Sequence, residues 1–229
     1  MKKLKLRLLP GEGIQYDDLD STVVIIDVLR ATTTIPVLLY KNARNVVTTD
    51  DLNEAKVFSG VKIGERKSLK IEGFDYNNSP TALFEIDFSG KSVLLTTSNG
   101  TRAVKMYEKF REVIALSFCN FSAVKSFLES RNNIIFVCSG SHGEFSLEDF
   151  VCATLMIKEF SSNNDFDTLQ LAELVNVGRE DYFDICVKSR HARSLVKKGF
   201  ERDVSYSLSM DTINIVPIYS NKGFVRWKE

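Results

Sequence analysis

The chain has no net charge to offer: 30 lysines and arginines are balanced by 30 aspartates and glutamates over 229 residues. Without a global field to gather nucleic acid or an anionic membrane, any site for an anion has to be local. Cysteine is scarce and irregularly spaced. Cys119, Cys138, Cys152 and Cys186 lie mostly in apolar runs with no CxxC pair, so reduced core thiols in a cytoplasmic protein are expected. Long hydrophobic runs are missing as well. Lys5 and Arg7 interrupt the start MKKLKLRLLP, so no signal peptide is expected, and nothing later approaches membrane-spanning length. Nucleotide-binding glycine fingerprints and the nucleophile elbow are absent. Cys138 lacks the arginine six positions on that a cysteine phosphatase needs, because Glu144 stands there. His142, in a glycine-rich turn, and His191, in a helical stretch, are the only histidines and offer little for histidine-based chemistry.

What is present centres on TVVIIDVLRATTT, residues 22–34. Val23, Val24, Ile25 and Ile26 form a β-branched run without alternation, the pattern of a strand buried on both faces. Asp27 and Arg30 follow at its carboxyl end, where open α/β sheets collect ligands. Thr32, Thr33 and Thr34 are placed to open the next helix.

Around this stretch, strands and helices alternate. Leu4, Leu6 and Leu8 predict an edge strand, broken by GEG at 11–13. Strands are predicted over 43–49, 61–64, 92–97, 113–116 and 134–138, with helices over 33–40, 50–58, following 101, 120–129 and 147–160. Pro36 falls in the first turn of its helix. Residues 65–82 read as a long packed loop of functional character. After the SNND loop at 162–165, the stretch 166–196 is largely helical, and two strands, 203–208 and 212–218, return to the sheet. The expected fold is one elaborated α/β domain over 1–229: a multi-stranded, largely parallel sheet flanked by helices, with a helical C-terminal elaboration and late returning strands.

Five polar clusters sit at or beside strand ends: DVLRAT (27–32), GERK (64–67), GFDYNNSP (73–80), TTSNGT (96–101) and SGSHGEFSLED (139–149). Sharing one edge of an α/β sheet, they would meet in one cleft. Thr97, Ser98, Asn99, Gly100 and Thr101 offer hydroxyls and helix-start N–H groups to a phosphate or another oxyanion, or act as ordinary caps. Asn78 and Ser79, and Ser139 and Gly140, join them as candidate substrate-binding residues. Asp27, Glu148 and Asp149 are hard oxygen donors suited to Mg²⁺, although Glu148 and Asp149 also suit a first helical turn without metal. Arg30, Arg66 and Lys67 supply positive charge.

Taken in order, DVLRATTT, GERK, GFDYNNSP, TTSNGT and the SLEDFVCA segment resemble the 2-phosphosulfolactate phosphatase family, from about residue 20 to Pro217. The resemblance implies a distinct α/β fold and a Mg²⁺-dependent phosphatase converting 2-phosphosulfolactate to sulfolactate and phosphate, a step associated with coenzyme M formation and sulfolactate metabolism. Departures from the family's usual wording include Ser98 for threonine, Ser68 and Asn77 for glycine, and Thr154 for glycine. Asn77 is among the non-glycine residues best able to take positive φ. On this reading Asp27, Glu148 and Asp149 bind metal or activate water, or Asp27 itself attacks phosphorus. Arg30 and the TTSNGT backbone hold phosphate. Arg66 and Lys67 recognise sulfonate or carboxylate, and Glu65 orients a cation or serves as acid or base. The competing expectation is a non-catalytic binding protein for a small polyanion; a dinucleotide-dependent oxidoreductase is a weaker third. No nucleic acid or membrane partner is expected, and a twofold homodimer is the base-rate assembly.

Overall fold

A computed structural model describes residues 2–12, 19–160, 172 and 177–228. Ten strands form one mixed, mostly parallel sheet: β1 (Lys3–Arg7), β2 (Thr22–Ile26), β3 (Asn45–Thr48), β4 (Val61–Arg66), β5 (Leu69–Lys70), β6 (Ser92–Thr96), β7 (Glu112–Leu116), β8 (Asn133–Cys138), β9 (Pro217–Ser220) and β10 (Gly223–Arg226). Nine helices among the described residues flank it: α1 (Ala31–Tyr40), α2 (Leu52–Val57), α3 (Pro80–Phe84), α4 (Gly100–Tyr107), α5 (Phe121–Leu128), α6 (Leu147–Lys158), α7 (Tyr182–Val187), α8 (Arg190–Lys197) and α9 (Glu201–Ser207).

The strand order is β1-β8-β2-β7-β9-β10-β3-β6-β4-β5. β1 lies at the edge against β8, in line with its alternating pattern. β8, β2 and β7 pair in parallel, as do β3, β6 and β4. The C-terminal hairpin joins these two sets, with β9 antiparallel to β7 and β10 antiparallel to β3. Followed across these pairings, the β3-β6-β4 set runs opposite to the β2-β7-β8 set. The turns at their carboxyl ends would lie at opposite edges of a flat sheet. Strand twist of about 20° per step changes that over the five steps from β2 to β6.

The helix α1 lies against the middle of the sheet. It packs on β7, β9, β10 and β3, and every residue from Ala31 to Leu39 is buried. A helix buried on all sides, its threonines included, belongs to an interior. It begins two residues earlier than the sequence pattern predicts, which puts Pro36 inside the helix rather than in its first turn.

Strand β2 divides the core by its period of two. Val24 and Ile26 face a cluster built with α5, α6 and the C-terminal helices, whereas Val23 and Ile25 face one built with α1 and α4. The four cysteines are free thiols buried in this interior, as the spacing implied. Burial pushes the Cys119 thiol up to about 12.

Several local expectations change. Asp51, not Asp50, caps α2. The long loop at 65–82 contains the tight β4–β5 hairpin and α3, whose N-cap is Ser79. Residues 203–208, expected as a strand, lie in α9 and its end, because burying Val204 and Leu208 four residues apart suits a helix better. The predicted strand at 212–218 starts only at Pro217, and its hairpin partner β10 went unrecognised. Of the helical stretch at 166–196, residues 166–171 and 173–176 lie outside the described residues, as does the loop at 162–165; α7 and α8 fall in the remainder. No helix among the described residues is long and apolar enough to cross a membrane.

The C-terminal hairpin closes the middle of the sheet, and Gly223 lets it approach, since a Cβ there would sit 2.8 Å from the Val46 carbonyl oxygen. Deleting residues 217–229 is expected to abolish cooperative folding rather than trim a tail. Thermal unfolding followed by circular dichroism checks this, and a truncated chain with a sharp transition would overturn it.

Candidate active site

One cleft is lined by Asp27, Arg30, Glu65, Lys67, Ser68, Asn78, Thr97, Ser98 and Asn99, with His142, His191 and two leucines. The wrapped sheet thus gathers the turns after β2, β4, β6 and β8 although their strands run in two directions.

Asp27 is buried at the end of β2. Its Oδ1 accepts a long bond of 3.4 Å from the Ala31 N–H, and its own N–H donates to Thr32 Oγ1 at 2.9 Å. Burial pushes its carboxyl up to about 6; the charge of His191 and the Ala31 N–H work against this, and Glu65 and Glu148 add to it. The threonines pin the turn. Thr32 donates to the Leu116 carbonyl, while Thr33 donates to the Val28 carbonyl and shares a hydrogen with Ser117. Gly100 packs directly against this acid: a Cβ there would lie 2.5 Å from Asp27 Oδ2 and 2.6 Å from the Ala31 Cβ. Gly100→Ala is therefore expected to displace Asp27 and cost about 100-fold or more in turnover, read as kcat beside a melting temperature that reports the overpacking.

Arg30 is buried in the same turn. Its Nη1 donates to Asp203 Oδ2 at 2.7 Å, and its guanidinium lies 4.3 Å from the Phe200 ring centroid. Asp203 also accepts from Ser79 and from both the N–H and hydroxyl of Thr81. Ser79 is thereby committed to α3 and Asp203, and it does not line the cleft.

Glu65 uses both carboxylate oxygens on backbone donors, Ser68 N–H at 2.6 Å and Ser98 N–H at 2.8 Å. It brackets the β4–β5 turn against the β6–α4 loop, which leaves no lone acid–base group there. Lys67 and Ser68 form the two-residue turn at φ 55° and 69°, where glycine or asparagine is usual. Such strain is retained where surrounding contacts over-determine it. Ser68 takes the positive φ expected of Asn77; Asn77 does not, and donates through Nδ2 to the Ser68 carbonyl. Arg66 turns away from the cleft to the Glu65 carbonyl and Thr96 Oγ1.

At the start of α4, Thr97 and Thr101 cap each other, each hydroxyl accepting the other's N–H. Asn99 Oδ1 accepts the His142 N–H. The Asn99 and Gly100 N–H groups have no hydrogen-bond partner among the described residues, so the helix start retains donors for an oxyanion. Asn78 lines the cleft with a buried Oδ1 that is also unpartnered.

The third acid of the proposed metal set is committed elsewhere. Asp149 accepts the N–H of Val28 at 2.9 Å through Oδ1 and that of Gly140 at 3.2 Å through Oδ2. Burial, with the charges of Asp27 and Glu148, raises its carboxyl well above the usual range. Gly140 and the buried Ser139 support this packing behind the cleft and do not line it. Glu148 Oε1 pairs with His191 Nδ1 at 3.1 Å, whereas Oε2 is buried without a partner. Burial works to raise the Glu148 carboxyl, but the hydrogen bond and charge of His191 hold it below its usual value. Among the described residues no three acid, imidazole or thiol groups converge as an all-protein metal cage requires. Sequence reasoning missed Asp203, Phe200 and the pairing of His191, because α9 was read as a strand and nothing local marks these residues.

A buried acid, a clamped arginine and unpaired helix-start N–H groups at one cleft are the equipment of an enzyme that handles phosphate esters, a phosphoric monoester hydrolase. A profile of the 2-phosphosulpholactate phosphatase family matches residues 9–222. The chain belongs to that family. Among its relatives, a probable 2-phosphosulfolactate phosphatase of Thermotoga petrophila is 40% identical over 208 residues, covering 89% of this chain and 91% of the relative. Proteins of the same name from Thermotoga maritima and Caldanaerobacter subterraneus are 40% and 34% identical, each over about nine-tenths of both chains.

Proposed function

We propose that this chain hydrolyses 2-phosphosulfolactate to sulfolactate and phosphate with the help of Mg²⁺. The observation that carries the reading is the meeting of Asp27, Arg30, Lys67 and the α4 N-terminus in one cleft, in a chain whose relatives bear that substrate in their names.

The residues present fit Mg²⁺ in a two-carboxylate mode. Glu148 Oε2 is a buried oxygen without a hydrogen-bond partner, and its Oε1 pairs with His191, which lines the same cleft as Asp27. Mg²⁺ commonly takes one or two carboxylates and completes its shell with water and substrate phosphate. Asp27 and Glu148 would hold the ion, which when bound neutralises charge on the phosphate oxygens. Asp149 orients the Val28 and Gly140 backbone behind them.

The chain's own groups do the rest. Arg30 and the N–H groups of Asn99 and Gly100 grip the phosphate oxygens. Lys67, exposed at the rim, supplies charge for the sulfonate or carboxylate, with Ser68 beside it. Asp27 acts on phosphorus, either by direct attack or through a water whose proton it accepts. Acid-quench trapping of a phospho-enzyme separates these two routes.

The test is phosphate release from racemic 2-phosphosulfolactate, with Mg²⁺ and with a chelator, beside phospholactate and an aryl phosphate. Turnover that requires Mg²⁺ and prefers the sulfonated ester is the expected result. No release from any of these by folded protein would overturn the reading in favour of a polyanion-binding protein.

A further inference from the structure

We propose that Lys198, Phe200 and Asp203, on the segment that leads into α9 and through its first turn, form the positioning element of the anion site, with Asp203 as the residue that aims Arg30. The proposal rests on the phosphatase reading and adds residues outside the sequence blocks that carried the family resemblance.

Three contacts from six residues support it. Asp203 is buried and fully engaged: Oδ2 accepts from Arg30 Nη1, and Oδ1 accepts from the Ser79 hydroxyl and both Thr81 donors. A carboxylate with that many partners has one orientation, so the arginine it holds has one as well. Phe200 lies under the guanidinium and fixes its plane. Nη1 is thus occupied, while Nε and Nη2 have no hydrogen-bond partner among the described residues and Arg30 lines the cleft. Across the cleft, Lys198 Nζ donates to the Lys67 carbonyl at 2.8 Å and to Ser68 Oγ at 3.2 Å. Those bonds hold the left-handed turn that carries Lys67. One short segment therefore sets two cationic elements that are remote from each other in sequence.

A purely structural role would lower the melting temperature and the active fraction but leave KM unchanged. A positioning role changes KM and the affinity for phosphate itself. Asp203→Asn keeps an acceptor for Ser79 and Thr81 but removes the charge facing Arg30. It is expected to raise KM for 2-phosphosulfolactate about 100-fold, with a smaller loss in kcat, because misplacement of a binding group by about 1 Å carries a penalty of that order. Binding of inorganic phosphate, measured by titration calorimetry in the presence of Mg²⁺, should weaken in parallel. Lys198→Ala is an exposed substitution that leaves the core intact, and a rise in KM of about three- to tenfold at unchanged melting temperature is expected. It decides the matter if Asp203→Asn does not fold. Wild-type KM and phosphate affinity in both variants, or in Lys198→Ala alone where the other fails to fold, would overturn the proposal. If the wild-type chain releases no phosphate, the phosphatase reading fails, and the phosphate titrations still decide whether these residues position the anion site.

Discussion

Asp27→Asn is expected to lose at least about a thousandfold in turnover and, in the metal-free protein at neutral pH, to melt at a higher temperature than wild type. The two effects share one cause. The Asp27 carboxyl has an ordinary value of 3.8 and is pushed up to about 6 in the folded chain, so holding it ionised in the interior costs about 3 kcal/mol. Its folded value lies above the unfolded one. The stabilisation from its bound proton is therefore fully present below about pH 4 and is lost as pH rises through 6. Asparagine has no such proton to lose and retains a carbonyl oxygen for the Ala31 N–H. The gain in melting temperature should be clear at pH 7.5 and nearly vanish at pH 4. Thermal unfolding in chelator at both pH values, beside the phosphate assay, measures it. An equal or lower melting temperature at pH 7.5 would show that burial of this carboxylate is not a net cost. A gain in stability bought by loss of the reacting group is the usual relation at an active site.

Arg30→Ala is expected to destabilise the fold by about 3 kcal/mol, near the low end for breaking a buried ion pair. The loss arises chiefly because Asp203 stays buried with its charge, at 1% side-chain exposure, after its partner has gone. Ser79 and Thr81 still donate to that carboxylate, which keeps the loss from being larger. Arg30→Lys preserves the charge but not the planar fork or the stacking on Phe200. It should retain most of the stability while raising KM at least about tenfold. Urea unfolding of both variants and steady-state kinetics of the lysine variant test this. A lysine variant with wild-type KM would remove Arg30 from the phosphate grip.

Much of the site could be read locally. Asp27 and Arg30 follow a β-branched run that can be little else than a buried strand, and TTSNGT marks a helix start with donors to spare. The roles of individual residues were less legible. Glu65, Thr101, Asn99 and Asp149 have the residue types of a reactive site, yet each is occupied by backbone or capping bonds that depend on a chain segment remote in sequence or on the precise geometry of a helix start. The stretch 203–208 misled because a short amphipathic helix with serines interspersed also shows a period of two over five residues.

Legible along the chain alone are the α/β class, the double-faced burial of β2, the free cysteines, the acid and arginine at the strand end, and the family. These depend on composition, on periodicity within a few residues and on ordered blocks. It takes the folded chain to settle that the late hairpin joins two oppositely directed parallel sets, that α1 is buried against the middle of the sheet, and that Asp203 clamps Arg30 across 173 positions of chain. Strand neighbours and buried ion pairs are chosen by packing and hydrogen-bond satisfaction over the whole fold. Neither leaves a mark in the local pattern from which a sequence is read.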